Sequence, residues 1–203
     1  LLEKLTEIEG LHWVRVLYAY PNTVTEELVD AMYRNPKICN YIDIPIQHIS
    51  EHMLRDMNRH GSAEHIREIT DYIRRSAPGF ILRTTVMLGF PGETEQEFSE
   101  SLEFMKTSRL AAVHVFPYSR RAGTPAASMP GQLSNAEKAS RAHRGAELAQ
   151  AMERSWLTGW IGQTVPVLFE EEKDGFWRGH TPQYIEVRVK GEHLHNQLRP
   201  VTI

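Results

Sequence analysis

The sequence predicts an α/β protein: a partial parallel (β/α) half-barrel of about four strands, followed by a long helix and a small C-terminal antiparallel β-barrel domain. Three observations predict it. Apolar, β-branched runs alternate with segments of helical periodicity as far as about residue 160. Strand–helix–strand connections of this length join parallel strands by right-handed crossovers. From Thr164 onward the apolar period becomes two. The chain therefore divides into 1–133, the half-barrel portion, 134–162, a connecting helix, and 163–203, the β-domain.

Leu1 to Gly10 reads as the tail of a helix whose own strand is absent, so the sheet is expected to expose an edge there and the chain to be a fragment. Trp13, Val14, Val16, Leu17, Tyr18 and Tyr20 form the first strand run, closed by Pro21. Thr25 is a helix N-cap, and Leu28 and Met32 share a face of the helix it starts. Tyr41 to Ile46 is the next strand. Ser50 opens a helical stretch through Met53, Leu54 and Met57, and a further helix aligns Ile66, Ile69 and Ile73 before the Pro78-Gly79 turn. Phe80 to Phe90 is the third strand. Thr94 and Glu97 form a capping box ahead of Phe98, Leu102 and Met105, and Ala112 to Phe116 is the fourth strand.

A Gly- and Pro-containing linker, Arg121 to Gln132, leads to one helix from about Ser134 to Trp160. Beyond it Ile185, Val187 and Val189 alternate with charged residues, and Asp174-Gly175 signals a hairpin. About forty residues make a marginal domain alone, so this one is expected to pack on the long helix or the half-barrel.

Composition limits the function classes. Of 203 residues, 41% are hydrophobic and 24% charged, within the ordinary range for a folded protein. No apolar run is long enough to span a bilayer and the start lacks a signal-peptide pattern, so a cytoplasmic location with no membrane partner is expected. The formal charge of −3 gives no overall case for nucleic-acid binding. Cys39 is the single cysteine. It precedes a strand and reads as a packed thiol, and one thiolate excludes both an internal disulfide and a cluster held by several thiolates of this chain.

Ligands of parallel α/β sheets bind at the carboxyl edge. Three strand ends carry polar or turn-forming residues: Gln47 and His48, then Gly89-Phe90-Pro91-Gly92-Glu93, then Tyr118-Ser119-Arg120-Arg121. Gly89 and Gly92 would let backbone approach a ligand, with free amides following at Thr94, although a tight strand-to-helix turn needs the same glycines. His48 and His52 stand four apart like zinc ligands, but no third ligand is evident nearby, and no metal site is expected.

Tyr41-Ile42-Asp43-Ile44-Pro45-Ile46-Gln47-His48-Ile49-Ser50, Met57-Asn58-Arg59, Leu82-Arg83-Thr84-Thr85 with Gly89-Phe90-Pro91-Gly92-Glu93-Thr94, and Phe116-Pro117-Tyr118-Ser119 with Gly123-Thr124-Pro125-Ala126 occur in that order. Together they resemble the radical S-adenosylmethionine methylthiotransferases. The resemblance implies conversion of C–H to C–S–CH3, with one 4Fe-4S cluster to cleave S-adenosylmethionine, a second for sulfur, and an electron donor such as a flavodoxin. It also implies that the β-domain is a TRAM/OB-like module that helps hold the substrate. The family's CxxxCxxC motif and three further cysteines are absent here, so the implied clusters are not expected to be held by this chain, nor the chain alone to turn over.

The resemblance places Gln47, Arg83, Thr85, Gly89, Phe90, Pro91, Gly92 and Glu93 near the cofactor, and His48, Tyr118, Arg120, Arg121, Trp177 and Tyr184 near the substrate. Arg83 suits the carboxylate of S-adenosylmethionine because its planar fork donates two parallel hydrogen bonds; the rival is a salt bridge to a helix carboxylate. Trp177 and Tyr184 are exposed-aromatic candidates for RNA. Lys106 to Trp160 holds eight Lys and Arg against three acids, a net +5, whereas the β-domain has five cations and six acids. That basic stretch could follow RNA, face an acidic protein surface, or be a solvated helix face.

The substrate signals divide. Leu17 to Pro21, Tyr41 to His48 and Leu82 to Thr85 resemble the RimO branch, which modifies an aspartyl residue of a small-subunit ribosomal protein. Val113 to Ser119, Trp177 to Tyr184 and Leu194 to Gln197 resemble the MtaB branch, which modifies threonylcarbamoyladenosine in tRNA. The ribosomal protein ranks first because the barrel segments lie nearer the reacting carbon. A non-catalytic RNA- or ribosome-binding module and a lyase using Glu93 as base are the alternatives from other classes.

Overall fold

The computed structural model describes residues 1–203. Helix α1 (Leu2–Thr6) precedes strand β1 (Val14–Val16), a 3-10 turn (Pro21–Thr23), helix α2 (Glu26–Arg34) and strand β2 (Ile38–Asp43). Helices α3 (Glu51–Asp56) and α4 (Ala63–Ser76) lead to strand β3 (Ile81–Leu88), then helix α5 (Glu95–Thr107) and strand β4 (Ala112–Pro117). The short helix α6 (Pro125–Ser128) lies inside the expected linker, and helix α7 spans Asn135–Thr158. No helix is long and apolar enough to cross a membrane.

Local chemistry sets the helix starts. Thr25 accepts the Leu28 N–H, Ser50 that of Met53 and Ser62 that of His65, while Thr94 and Ser134 form reciprocal capping boxes with Glu97 and Glu137. Each such cap contributes about 1 kcal/mol.

The first four strands form one parallel sheet in the order β1-β2-β3-β4. Its two faces differ. Ile38, Ile42, Leu82, Val86 and Leu88 point into the main core beneath the helices, whereas Tyr41, Asp43, Arg83, Thr85 and Met87 alternate with them on the concave inner face. Helix α7 packs against β4 and β3. It therefore serves as an outer-layer helix of the half-barrel as well as a connection. Gly145 allows the approach, since a Cβ there would lie 2.7 Å from Leu88 Cδ1 and 3.0 Å from Val115 Cγ1.

Two strand positions differ from expectation. Only Val14–Val16 of the Trp13–Tyr20 run joins the sheet, with an irregular register to β2. The second strand ends at Asp43; beyond it the Ile46 N–H turns to the Thr84 hydroxyl instead of a β3 carbonyl, and pairing resumes at an isolated Gln47–Val86 bridge. Cys39 consequently lies within β2, buried beside Tyr41, Ile81 and Ala111 on the inner face.

The C-terminal strands β5 (Thr164–Lys173), β6 (Phe176–His180), β7 (Glu186–Val189) and β8 (Gln197–Thr202) form an antiparallel sheet in the order β7-β6-β5-β8. No ladder joins β7 to β8, so the sheet is open where a closed barrel was expected. Asp174 and Gly175, with φ of 55° and 76°, make the two-residue hairpin turn. Val167, Phe169, Trp177, Ile185 and Val187 form the core, roofed by Trp156, Leu157 and Trp160 around the end of α7.

This sheet docks at the amino end of the parallel strands. Arg15 Nη2 donates to Thr181 O at 2.5 Å, and the Arg15 guanidinium lies 4.7 Å from the Tyr184 ring centre. Tyr184 also meets Tyr41 at 5.3 Å between ring centres.

Candidate functional site: the carboxyl edge and inner face of the parallel sheet

At the carboxyl edge the chain leaves β3 through Gly89 and turns back at Glu93. Glu93 Oε2 accepts the Gly89 N–H at 2.9 Å and a 2.5 Å hydrogen bond from Arg141 Nη1, which also donates to Glu93 O at 2.8 Å. His48 Nδ1 accepts the Ser50 N–H at 2.9 Å, so the ring proton sits on Nε2 and is donated to Glu93 Oε1 at 3.1 Å. The Glu93 and His48 side chains are fully sealed, and that of Arg141 is 11% exposed.

This arrangement differs from several expectations. Glu93 is a paired, sealed carboxylate, placed neither to act as a base nor to touch a cofactor, and His48 has no surface to offer a substrate. At Gly89 the space is taken by protein, since a Cβ there would meet Lys138 Cγ at 2.7 Å, whereas a Cβ on Gly92 would meet nothing within 4 Å, although the Gly92 N–H donates to Gly131 O at 2.8 Å. Thr94 offers no free amide, since its N–H donates to Glu97 Oε2 at 2.9 Å. Pro91 is buried within the turn.

His48 and His52 do not converge. His52 Nδ1 contacts Glu97 Oε1 at 2.9 Å, and Ser50 Oγ donates to the same oxygen at 2.7 Å. Against the upward push of partial burial, the Thr94 N–H, the Ser50 hydroxyl and His52 hold the Glu97 carboxyl down at about 2. The edge between α3 and α5 is thus closed by polar contacts.

Gln47, Thr85, Phe90 and Tyr118 remain at or just below this edge. Gln47 adopts φ 67°, donates to Thr85 O and accepts from the Met87 N–H, each at 2.9 Å, while its Oε1 is buried without a partner. A non-glycine residue held there costs of order 1–3 kcal/mol, as functional positions often do. Thr85 is half-buried on the inner face. Met53, Phe90 and Tyr118 form a small apolar cluster with Met57, Met87 and Met129, the Phe90 and Tyr118 rings meeting edge-on at 5.2 Å. The Tyr118 hydroxyl is buried and unpartnered.

Arg83 lies elsewhere. It stands five residues before Leu88, roughly 16 Å down the strand, with Nη1 3.4 Å from Asp43 Oδ2. A strand carboxylate, not a helix one, is its partner. Burial pushes the Asp43 carboxyl up, opposed by Arg83 and then by His114. Burial likewise pushes up the Cys39 thiol, opposed by Arg15.

Arg120 and Arg121 are exposed beyond β4, with Arg120 Nε donating to Ala127 O at 2.8 Å. Trp177 is 9% exposed in the second sheet's core, which corrects its expected exposure, because its β6 position points inward beside Val167 and Phe169. Tyr184 is half-buried, with His180 stacked on it at 4.7 Å and 21° and Arg15 over the ring. The basic stretch is also partly neutralised, Arg141 by Glu93 and Arg144 by Glu95 at 2.9 Å. Sequence reasoning missed Arg141 as the partner of Glu93 and did not single out Arg15; neither sits in a motif that marks a contact.

The Radical SAM superfamily model matches residues 1–105. The chain is 39% identical over 199 residues to ribosomal protein uS12 methylthiotransferase RimO of Heliobacterium modesticaldum, covering 95% of this chain and 43% of that protein. It is 42% identical over 189 residues to the protein of the same name from Alkaliphilus oremlandii, covering 92% and 43%. The chain thus spans less than half the length of these relatives. Among solved structures, coproporphyrinogen III oxidase HemN of Escherichia coli, described as a radical SAM enzyme, aligns at TM-score 0.57 and 13% identity over 94% of this chain and 51% of that chain. Methanocaldococcus infernus Elp3 aligns at TM-score 0.52 and 14% identity over 82% and 52%. These two likenesses concern the fold.

Proposed function

This chain belongs to the radical SAM superfamily, in its RimO/MiaB-type methylthiotransferase family, and from that premise we propose that it is part of an enzyme that replaces C–H by C–S–CH3 on an aspartyl residue of ribosomal protein uS12. The observation that carries the reading is the Gly89–Glu93 turn, held in one shape beside a partly apolar carboxyl edge. Catalysis benefits from groups fixed before the substrate arrives.

The edge offers S-adenosylmethionine two buried polar atoms without partners, Gln47 Oε1 and the Tyr118 hydroxyl, beside a small apolar cluster. Bound there, it supplies the family's reductive radical chemistry. Gln47 would accept a ligand hydrogen bond, Phe90 and Tyr118 would exclude water, and Thr85 would line the approach from the inner face. Glu93 acts at one remove by holding the Gly89 amide.

The clusters do not fit this chain's donors. Its one cysteine is buried within β2 with its thiol pushed up, and a cubane needs several thiolates, so the cluster ligands are assigned to sequence outside these residues. The C-terminal sheet acts in this reading as a TRAM-like module for the macromolecular substrate, in the cytoplasm, with Arg120 and Arg121 at the rim.

Binding of the 203-residue chain to purified uS12 and to unmodified tRNA, from low to physiological salt, tests the substrate class. uS12 should bind more tightly and with the weaker salt dependence. Tight tRNA binding whose salt slope flattens in the Arg120→Ala, Arg121→Ala double variant, with no uS12 binding, would transfer the reading to a tRNA substrate.

A further inference from the structure

We propose that the cleft between the inner face and the C-terminal sheet is a subsite for a main-chain amide of the protein substrate, read by Arg83, Tyr41 and Gln183. This rests on the reading that the substrate is a protein. The cleft measures about 310 Å³ and is walled by Tyr41 and Arg83 of the parallel sheet, Glu153 and Trp156 of α7, and Gln183 and Tyr184 of the C-terminal unit. It belongs to neither unit alone.

Charge decides against a simple anion. Asp43 already neutralises Arg83, and Glu153 adds a second carboxylate to the wall. A phosphate or carboxylate entering would meet these negative groups with one guanidinium already paired. A neutral group is the better match.

Hydrogen-bonding capacity narrows the choice. Asp43 engages one guanidinium nitrogen, so further Arg83 N–H groups are free to donate. Gln183 Oε1 is buried without a partner, and the Tyr41 hydroxyl, also buried, lies against the Arg83 guanidinium. A ligand that satisfies this set must accept from Arg83 or Tyr41 and donate to Gln183 within a short span. A peptide group does both, with its C=O and N–H on one planar unit.

A nucleobase edge has similar capacity, but the aromatic wall does not favour it. The Tyr184 ring already holds His180, stacked at 4.7 Å, and the Arg15 guanidinium, also at 4.7 Å, so it is not open to stack a base. An extended peptide needs no free ring face.

The test titrates the full 203-residue chain with a synthetic uS12 peptide containing the target aspartate, and separately with an adenosine-containing trinucleotide. Affinity is read by calorimetry and the site by NMR signals of the Arg83 Nε–H group. The peptide should shift those signals, and Gln183→Ala and Arg83→Gln should each weaken its binding by about tenfold. Glu68→Ala, an exposed change on α4 away from the cleft, should leave peptide affinity unchanged. If Arg83→Gln unfolds the chain, Gln183→Ala, which removes no charge, carries the test alone. Absence of peptide binding, or equal affinity in Gln183→Ala and the unsubstituted chain, overturns the subsite, while retained binding of intact uS12 would leave the substrate class standing. Trinucleotide binding that is lost in the same variants, without peptide binding, overturns both.

Discussion

Arg141→Ala is expected to destabilise the chain by about 3–5 kcal/mol, because it leaves the sealed Glu93 carboxylate without its counter-charge. The Gly89 N–H and His48 remain as donors, which places the effect toward the lower end of that range. Loss of Arg141 also frees helix α7 from the Glu93 carbonyl, so the carboxyl edge should loosen. Urea denaturation measures the change, and amide exchange at Gly89 locates it. The Glu93→Gln, Arg141→Met pair should recover much of the loss, since neither side then carries a buried charge. A loss below about 1 kcal/mol in Arg141→Ala would mean that the pair behaves like an exposed surface bridge.

Trp177→Ala is expected to cost about 3–5 kcal/mol, the usual range for removing a large aromatic side chain from a core. Its indole packs among Val167, Phe169, Ile185 and Val187, and a five-residue core has little else to close the gap. Exchange protection of the Phe169 and Val187 amides should fall while that of Leu82 in the parallel sheet is retained. A stable Trp177→Ala variant with weakened RNA binding would instead return Trp177 to the surface role its composition suggested.

What was legible in the sequence was local. Thr25, Ser50, Thr94 with Glu97, and the Asp174-Gly175 turn act on backbone groups within a few residues, and each forms as expected. Tyr41 to Ile46 reads as a strand because the run is apolar, whereas the ladder is left at Ile46, whose N–H donates to the Thr84 hydroxyl.

The site was legible only in part. Gln47, Phe90 and Tyr118 follow strands, and a parallel sheet gathers such residues at one edge, so their place in the fold could be read from the sequence. The partners of Glu93 could not, since Arg141 lies 48 residues away and His48 lies 45 away in the opposite direction. The Arg15–Thr181 contact spans 166 residues, and no periodicity records a pairing at that distance. Trp177 shows a related limit: composition names an aromatic residue, but only the packing of the second sheet decides whether it faces water.

Whether this carboxyl edge belongs to a uS12 methylthiotransferase is tested most directly on the whole gene product that contains the chain. That product is reconstituted anaerobically with iron and sulfide, and S-adenosylmethionine, reductant, purified uS12 and unmodified tRNA are supplied in one mixture. Mass spectrometry then reads both substrates. The expected result is a methylthio group in place of one hydrogen on an aspartyl residue of uS12, lost when Gln47 is replaced by Ala in a variant that still folds. Unchanged uS12 beside methylthiolated adenosine in the tRNA would contradict it.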